Sequence, residues 1–291
     1  MKGGFGNQLF QLCFANYLKS QNFKVKINTD LFSMLNSDTP RELTLPLKHF
    51  GFSEENKFSK FLFNNFLRLN SSKTAKKLFI GNILDNYRFT KESDNIANSN
   101  SKRFFFNGYW KDMKYIESNK KWLIDSLSKN KTIKKQFNID LNENHAMIHV
   151  RRGDFLKDDR HLNVSYYEKS IDLLKQKNNK LRFDIFTDDE QWVKNQKIFN
   201  IAENIFGQKG GKNDDLNNPG IDGKDDNEET IFTFTQMLNY KHFISGNSSY
   251  AFWAAFIRSK DTSLITVPEP WFRNSNHPTL KLDNWYIVEN I

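Results

Sequence analysis

The chain has 291 residues, with 43 Lys plus Arg against 34 Asp plus Glu, so its formal net charge is +9. Its 28 phenylalanines and six tryptophans supply enough bulk for a folded core, which excludes global disorder. The single cysteine, Cys13, excludes an intramolecular disulfide framework and a multi-cysteine metal site. We find no apolar run of bilayer length and no signal peptide, and we therefore expect a cytoplasmic protein.

The first predicted elements are a glycine turn, a helix and a strand. Residues 3–6 (GGFG) lead into a helix whose apolar positions 10, 14, 17 and 18 share one face. The alternating residues 23–28 (FKVKIN) predict a strand. This order is typical of an α/β fold whose first strand is missing. Further along we expect short helices within 54–69, a short strand and turn over 104–110, and a helix over 122–127.

In the second half of the chain, strand, loop and helix alternate three times. This alternation predicts a parallel sheet with helices on its faces, in which ligands bind beyond the carboxyl ends of the strands. The stretch 138–144 is interpreted as a linker, which divides the chain into domains 1–139 and 140–291. Strands are predicted over 145–150, 181–186 and 243–245, and helices over 166–177, from Trp192 onward and over 250–258.

Residues 207–229 differ from the rest of the second half, because they hold Gly, Asn, Asp and Lys and almost no apolar side chains. We predict a mobile surface insertion. Asp215 and Asn217 occupy positions one and three of a calcium loop. Pro219 at position five cannot supply a side-chain oxygen, and Asp226 closes the loop in place of glutamate, so a calcium site is not expected.

Two adjacent arginines after the predicted strand 145–150 are the strongest candidate for a binding site. Arg151 and Arg152 are poor core residues, since an unpaired guanidinium is costly to bury, and their forked donors match phosphate oxygens. Gly153 lets the loop turn, and Asp154 can orient one arginine. A surface ion pair with Asp154 explains the same residues, so the phosphate clamp and the ion pair both stay open.

Three other loops carry polar groups. Residues 245–249 (SGNSS) precede a helix, so their amides can bind phosphate and their side chains can cap the helix. Residues 187–189 (TDD) can accept from ribose hydroxyls or a base edge, hold a metal, or cap the next helix. The glycines of 3–6 match two positions of a dinucleotide fingerprint, but Leu9 occupies the third, so NAD binding is not expected.

Together these motifs resemble the alpha-1,2-fucosyltransferase family, the inverting enzymes that use GDP-fucose. The resemblance runs from residue 3 to about residue 273. The motif at residues 149–155 also occurs in other fucosyltransferases, whereas the full set of motifs is highly specific to this family. The motifs are residues 3–11 (GGFGNQLFQ), 149–155 (HVRRGDF), 186–189 (FTDD), 247–255 (NSSYAFWAA) and 270–272 (PWF).

The chain departs from the usual family pattern at four points. No strand precedes the glycines within it, Gly246 stands where Ser or Ala is usual, and Phe252 stands where Trp is usual. The insertion 207–229 is unlike that of typical members, which leaves the choice of acceptor open.

The resemblance implies the GT-B arrangement, in which two Rossmann-like domains face each other across a cleft. The domain 140–291 would hold GDP-fucose, and 1–139 would hold much of the acceptor. The reaction it implies needs neither a cofactor nor a metal: a galactoside 2-hydroxyl displaces GDP from the anomeric carbon with inversion. Arg151, with Arg152, would stabilise the departing diphosphate.

The resemblance also implies roles for individual residues. Catalytic roles fall to Arg151, Asn7 and Asp154, with Asp154 as the orienter of an arginine. The general base stays open among Asp154, Asp158 and Asp159. Donor-binding roles fall to His149, Arg151, Arg152, Asp188, Asn247, Ser248, Ser249, Gly4 and Gly6.

The expected partners are GDP-fucose and a galactose-containing glycan, in the synthesis of a surface glycan such as O-antigen or capsule. The expected location is the cytoplasm, with peripheral contact to the inner face of the membrane as an open point. Two alternatives remain: a fucosyltransferase of another linkage, and a noncatalytic carbohydrate- or nucleic-acid-binding protein, which the charge and the aromatics allow. Lysine-rich solubility explains the charge equally well, and no nucleic-acid-binding motif occurs, so nucleic acid is not an expected partner.

Overall fold

The computed structural model describes residues 1–34, 41–61, 64, 87–90, 103–207, 226–274 and 277–290. Backbone contacts divide the chain into two compact units, Met1–Asn119 and Lys120–Ile291. The second unit includes residues 120–139, which the sequence predicts as part of the first domain. The predicted domain boundary at 139/140 stays a prediction.

The first unit is organised around helix α1 (Phe5–Ser20). Its apolar side chains recur every three to four residues, so Phe10, Phe14 and Leu18 are buried together. Phe14 stacks on Trp110 with ring centroids 4.1 Å apart. The unit also contains α2 (Leu31–Met34), a 3₁₀ turn (Leu47–Phe50), a helical turn over 57–61, the parallel strands β1 (Tyr87–Thr90) and β2 (Arg103–Phe106), and α3 (Met113–Glu117).

The predicted strand over residues 23–28 is wrong. Only Ile27 forms a β-bridge, parallel to Glu54. The Ile27 amide donates to the Ser53 carbonyl, and the Ile27 carbonyl accepts from the Glu55 amide. An alternating segment becomes a strand only where another segment pairs with its backbone over several residues. Here the neighbouring segment pairs with a single residue, Ile27.

The second unit contains a six-stranded sheet in which every strand pair is parallel. The predicted parallel sheet with helices is therefore confirmed. Its elements are α4 (Lys120–Leu127), α5 (Lys131–Phe137), β3 (His145–Val150), α6 (Gly153–Lys157), α7 (Val164–Lys177), β4 (Arg182–Thr187), α8 (Glu190–Lys194), a 3₁₀ turn (Lys197–Ile201), β5 (Ala202–Gly207), α9 (Asp226–Met237), β6 (His242–Ile244), α10 (Ser249–Arg258), β7 (Ile265–Glu269) and β8 (Tyr286–Glu289).

The strand order of this sheet is β5-β4-β3-β6-β7-β8. Counted from its own first strand, the order is 3-2-1-4-5-6, which is that of the Rossmann fold. The strands β4 and β5 extend the sheet on one side of β3. The strands β7 and β8 extend it on the opposite side, beyond β6. The carboxyl ends of β3 and β6 therefore flank the topological switch point, where open α/β sheets bind their ligands. The two-domain GT-B arrangement stays a prediction.

The core of the second unit lies on both faces of the sheet. Ala146, Ile148 and Val150 pack with Tyr167 of α7 in one apolar cluster. Helix α10 has no polar stripe, and its residues 251–257 are all buried, as expected for a helix that is apolar on every side. This packing gives the loops after β3 and β6 rigid supports.

Helix α9 begins at Asp226, so the predicted insertion ends before residue 229. Residues 208–225, with Asp215 and Asn217, lie outside the described residues. In the part of the chain that is described, no helix is at once long enough and apolar enough to cross a lipid bilayer.

Candidate functional site

The loops after β3 and β6 emerge side by side at one edge of the sheet. The two strands pair in parallel, with Ala146 opposite His242 and Ile148 opposite Ile244. The turn after β6 approaches β3 closely at Gly246, where an added Cβ would lie 2.9 Å from the His149 carbonyl oxygen. A glycine is therefore required for this approach, and it brings the 245–249 turn next to the arginine motif.

Arg151 is held by two carboxylates. Its Nε and Nη2 donate to Asp154 Oδ1 at 3.1 and 2.8 Å. Its Nη1 lies 2.9 Å from Asp188 Oδ2, and the Asp188 side chain is 2% exposed. The ion pair expected from the sequence is thus present between Arg151 and Asp154, but a buried second carboxylate sets it apart from a simple surface pair.

Arg152 is held differently. Its Nε donates to Asp189 Oδ2 at 3.1 Å, and its guanidinium carbon lies 3.8 Å from the centre of the Trp192 ring. Its backbone amide donates to Asp188 Oδ1 at 2.7 Å. The Asp188 carboxylate therefore ties the end of β4 to both arginine positions after β3.

Asp189 has one of the functions considered for residues 187–189, the capping of the next helix, and a second function that the sequence did not predict. Its Oδ1 accepts from the Trp192 amide and caps α8, while its Oδ2 binds Arg152. Sequence reasoning missed Asp189 and Trp192 as partners of Arg152. The only available signal was an acidic residue at a strand end, followed by an aromatic residue three positions later.

Burial shifts the pKa values of His149 and Asp188. Burial, and secondarily the Arg151 charge, lowers the pKa of His149 to about 3, so this imidazole is neutral near pH 7. Burial raises the pKa of Asp188, which outweighs the opposing effects of the Arg151 charge and the Arg152 amide. His149 therefore contributes shape and packing here, and the positive charge comes from the arginines.

The turn over 245–249 is fixed from three directions. The buried Asn247 amide donates to the backbone carbonyls of Arg160 and Trp271 at 2.6 and 3.1 Å. Ser248 caps α10 by accepting from the Tyr250 amide, which matches the capping interpretation. The Tyr166 hydroxyl donates to the Ser245 carbonyl at 2.5 Å.

The structure brings most of the predicted site residues of the second unit to this one edge of the sheet. They are His149, Arg151, Arg152, Asp154, Asp188, Asn247, Ser248 and Ser249. Asp158 and Asp159 follow α6 in an exposed loop, where Asp158 pairs with Arg160 and Asp159 accepts from Arg273.

Gly4, Gly6 and Asn7 belong to the first unit. Gly4 is the extended residue before α1, and Gly6 and Asn7 lie in its first turn. The Gln8 side chain anchors this turn by donating to the carbonyls of Gly3 and Glu42. Asn7 Oδ1 is buried and accepts no hydrogen bond from the described residues.

A second polar cluster, His145, Asp184 and Glu203, lies toward the amino ends of the strands, with its ligand atoms within 4.8 Å of one another. Asp184 already accepts from the Tyr240 hydroxyl and the Asn204 amide, at 2.7 and 2.9 Å. These hydrogen bonds account for the buried carboxylate. The expectation of a reaction without metal stays a prediction.

Comparison with known proteins identifies the family. The chain is 27% identical to an alpha-1,2-colitosyltransferase of Escherichia coli, over 94% of this chain and 91% of that protein. It is 23% identical to the O-antigen biosynthesis glycosyltransferase WbnK of Escherichia coli, over 98% of each. No solved structure is detectably similar. Residues 1–289 match the model of glycosyl transferase family 11, which confirms the family expected from the motifs: the chain belongs to glycosyl transferase family 11 and is a glycosyltransferase.

Proposed function

We propose that this glycosyltransferase moves L-fucose from GDP-fucose to the 2-hydroxyl of a galactoside, with inversion, to form an alpha-1,2 linkage. The observation that carries the proposal is the pair of ordered guanidinium groups, Arg151 and Arg152, at the switch point of a Rossmann-type sheet. Such a position receives nucleotides, and guanidinium forks fit a diphosphate.

The donor diphosphate would lie between the arginines and the amino end of α10. Helix α10 has ten residues, and the amides of its first turn supply a partial positive charge and hydrogen-bond donors. Ser248 and Ser249 would present these amides, and Asp188, which is buried against both arginine positions, would hold the arginines toward the diphosphate. His149, which is buried and neutral, would support the loop that carries Arg151 and Arg152 by packing beneath the diphosphate site.

The chemical step would place negative charge on the departing GDP. Arg151 and Arg152 already have their orienting partners, so little reorganisation would be needed as that charge develops. The step needs no resident metal in this proposal. The general base for the acceptor hydroxyl stays open among Asp154, Asp158 and Asp159, and Asp154 is engaged by Arg151.

The names of the relatives support the finer points of the proposal. One relative is an alpha-1,2-transferase, and the other acts in O-antigen biosynthesis. We therefore propose a surface-glycan precursor as the acceptor, a cytoplasmic location, and peripheral contact with the membrane on which such precursors are built. The net charge of +9 would favour contact with anionic lipid.

The direct test is incubation of the protein with GDP-fucose and a panel of galactosides, with the product linkage determined by NMR. We expect an alpha-1,2 product that forms equally well with EDTA present. Arg151→Ala and Arg152→Ala should each lower kcat/KM by about 10²-fold or more, because each removes a charge that stabilises the leaving group.

Arg182→Ala is the matched control, since Arg182 is a half-exposed arginine that pairs with Glu203 at the other end of the sheet. It should leave the rate within about threefold of the unsubstituted protein. Full activity in Arg151→Ala would contradict the proposed clamp. Another linkage in the NMR spectrum would identify a fucosyltransferase of different regiochemistry.

A further inference from the structure

Arg152 lies over the face of an aromatic ring that sequence reasoning did not connect with it. The guanidinium carbon is 3.8 Å from the centre of the Trp192 ring, which is van der Waals contact between two planar groups. Asp189 holds Nε of the same guanidinium at 3.1 Å. Asp189 and Trp192 therefore hold the Arg152 guanidinium in two ways: the carboxylate binds Nε, and the indole ring packs against the guanidinium face.

The Trp192 ring is itself anchored in the core. It packs at 60° against Phe199, with ring centroids 5.9 Å apart, and Phe199 packs against Tyr167 at 5.4 Å. Phe199 and Tyr167 are both buried. The cap that Asp189 places on α8 fixes the backbone at Trp192. The indole cannot turn away without disturbing this packing, so it is a rigid support.

The indole orders Arg152 without neutralising it. Arg151 is held by two carboxylates, each of which offsets part of its positive charge. Among the described residues Arg152 has one carboxylate partner, Asp189, and its second support is an uncharged ring. A carboxylate in the place of Trp192 would fix the side chain equally well, but it would repel an incoming diphosphate.

We propose that Trp192 is a positioning residue, which holds the Arg152 guanidinium in the orientation that receives the donor diphosphate. This inference rests on the proposed function, because it needs a nucleotide diphosphate as the ligand. Without the ring, Arg152 would gain rotamer freedom, which GDP would have to restrict on binding. The loss should appear in the affinity for GDP and in the donor KM, and not in the acceptor KM.

The test measures GDP binding by calorimetry in Trp192→Leu and Trp192→Phe. Leucine removes the aromatic face, and we expect about tenfold weaker GDP binding; phenylalanine keeps a face, and we expect a change of at most about threefold. Trp122→Leu is the matched control, because it removes a half-buried tryptophan from α4 of the same unit and should leave the GDP affinity unchanged.

A double-mutant cycle shows whether Trp192 acts through Arg152. In an Arg152→Ala background, Trp192→Leu should weaken GDP binding by less than about twofold, because the side chain it positions is gone. An equal loss in both backgrounds would overturn the inference, as would a Trp192→Leu protein that binds GDP normally, or Phe and Leu variants with equal losses.

The failure of the inference differs from the failure of the proposed function. If the unsubstituted protein does not bind GDP, the proposed function is wrong. The inference about Trp192 then fails with it, because there is no diphosphate for Arg152 to bind. If Trp192→Leu does not fold, Trp192→Met and Trp192→Met/Arg152→Ala supply the same cycle, because methionine also removes the aromatic face and fills the space with a flexible apolar side chain. Additive effects in that cycle would also overturn the inference.

Discussion

Gly246 allows a close approach between the turn after β6 and the end of β3 in this chain. A side chain at this position would bring a Cβ to 2.9 Å from a backbone oxygen of His149 and to 3.1 Å from its Nδ1. Neither neighbour can yield easily, since His149 is buried at the end of the central strand β3. The turn after β6 can therefore approach β3 only because residue 246 lacks a Cβ.

We expect Gly246→Ala to lower the free energy of unfolding by about 1–3 kcal/mol, because the crowded backbone must shift. Gly207→Ala is the matched control: its Cβ would meet the end of the Glu190 side chain at 2.7 Å, and that side chain can move. Urea unfolding of both variants makes the comparison. Equal losses in the two variants would show that the approach at Gly246 is not tight.

The site residues themselves were predicted in part. Arg151, Arg152 and Asp188 follow strands, and periodicity locates strand ends, so their placement at one edge of the sheet could be expected. Asp189 and Trp192 could not be assigned to Arg152 in the same way. Their contact depends on the angle at which α8 leaves β4, and no local pattern encodes that angle.

At the level of elements, α7 supports the turn after β6 through one buried hydrogen bond. The Tyr166 hydroxyl donates to the Ser245 carbonyl, and both residues are fully buried. Tyr166→Phe leaves that carbonyl without this donor, and we expect a loss of about 1–2 kcal/mol in the free energy of unfolding. Tyr286→Phe, which changes a half-buried tyrosine on the edge strand β8, should cost less than about 0.5 kcal/mol.

The affinity for GDP is a second property that should differ between Tyr166→Phe and Tyr286→Phe. Because the turn over 245–249 leads into α10, its loosening in Tyr166→Phe should also weaken GDP binding, whereas Tyr286→Phe should not change it. Calorimetric titration measures both. An unfolding midpoint of Tyr166→Phe equal to that of Tyr286→Phe would contradict the expected support by α7.

Strong periodicity predicted the central elements well, and weaker patterns did not. β3, β4, β6, α7 and α10 lie within one or two residues of their predicted bounds. β5, β7, β8 and α9 were not predicted: β5 and β8 expose much of their surface and lack a clear apolar pattern, β7 contains Pro268, and α9 follows a polar insertion. The alternating segment 23–28 lacks a partner backbone over most of its length, and so it is not a strand.

For the molecule as a whole, histidines whose pKa is lowered by folding predict a loss of stability in acid. Burial, as the largest cause, lowers the pKa of His149, His161 and His242 below that of a free imidazole. A lowered pKa in the folded state means that the unfolded chain takes up protons first. The stability from His149 is therefore complete above about pH 6.5 and is lost as the pH falls toward about 3.

Between pH 7.5 and pH 5.0, His149 alone should lower the free energy of unfolding by about 2 kcal/mol. His149→Gln should lose about 2 kcal/mol less over that interval, and His277→Gln, which removes a half-buried imidazole outside the sheet, should behave like the unsubstituted protein. Urea unfolding followed by tryptophan fluorescence reports mainly on the second unit, because it contains Trp122, Trp192, Trp253, Trp271 and Trp285. Identical pH dependences in all three proteins would contradict a neutral, buried His149.

The titration of Asp188 changes the free energy of unfolding in the direction opposite to that of the histidines. Its pKa is raised by burial, so protonation favours the folded state, and this contribution is complete below the ordinary carboxyl pKa and is lost as the pH rises through the raised value. The free energy of unfolding should therefore fall less steeply with decreasing pH between the raised Asp188 pKa and the ordinary carboxyl pKa, and the same urea titrations measure this slope.

The order of residues along the chain was enough to determine the class of fold, the family and the positions of the arginine and serine motifs. These follow from side-chain periodicity and from motifs that lie within a few residues of one another. The tertiary structure decided which residues of different motifs touch: Gly246 with His149, Asp188 with both arginines, and Trp192 with Arg152. The physical reason is that strand order and helix packing bring together residues that are distant in sequence, and both depend on the core of the whole unit.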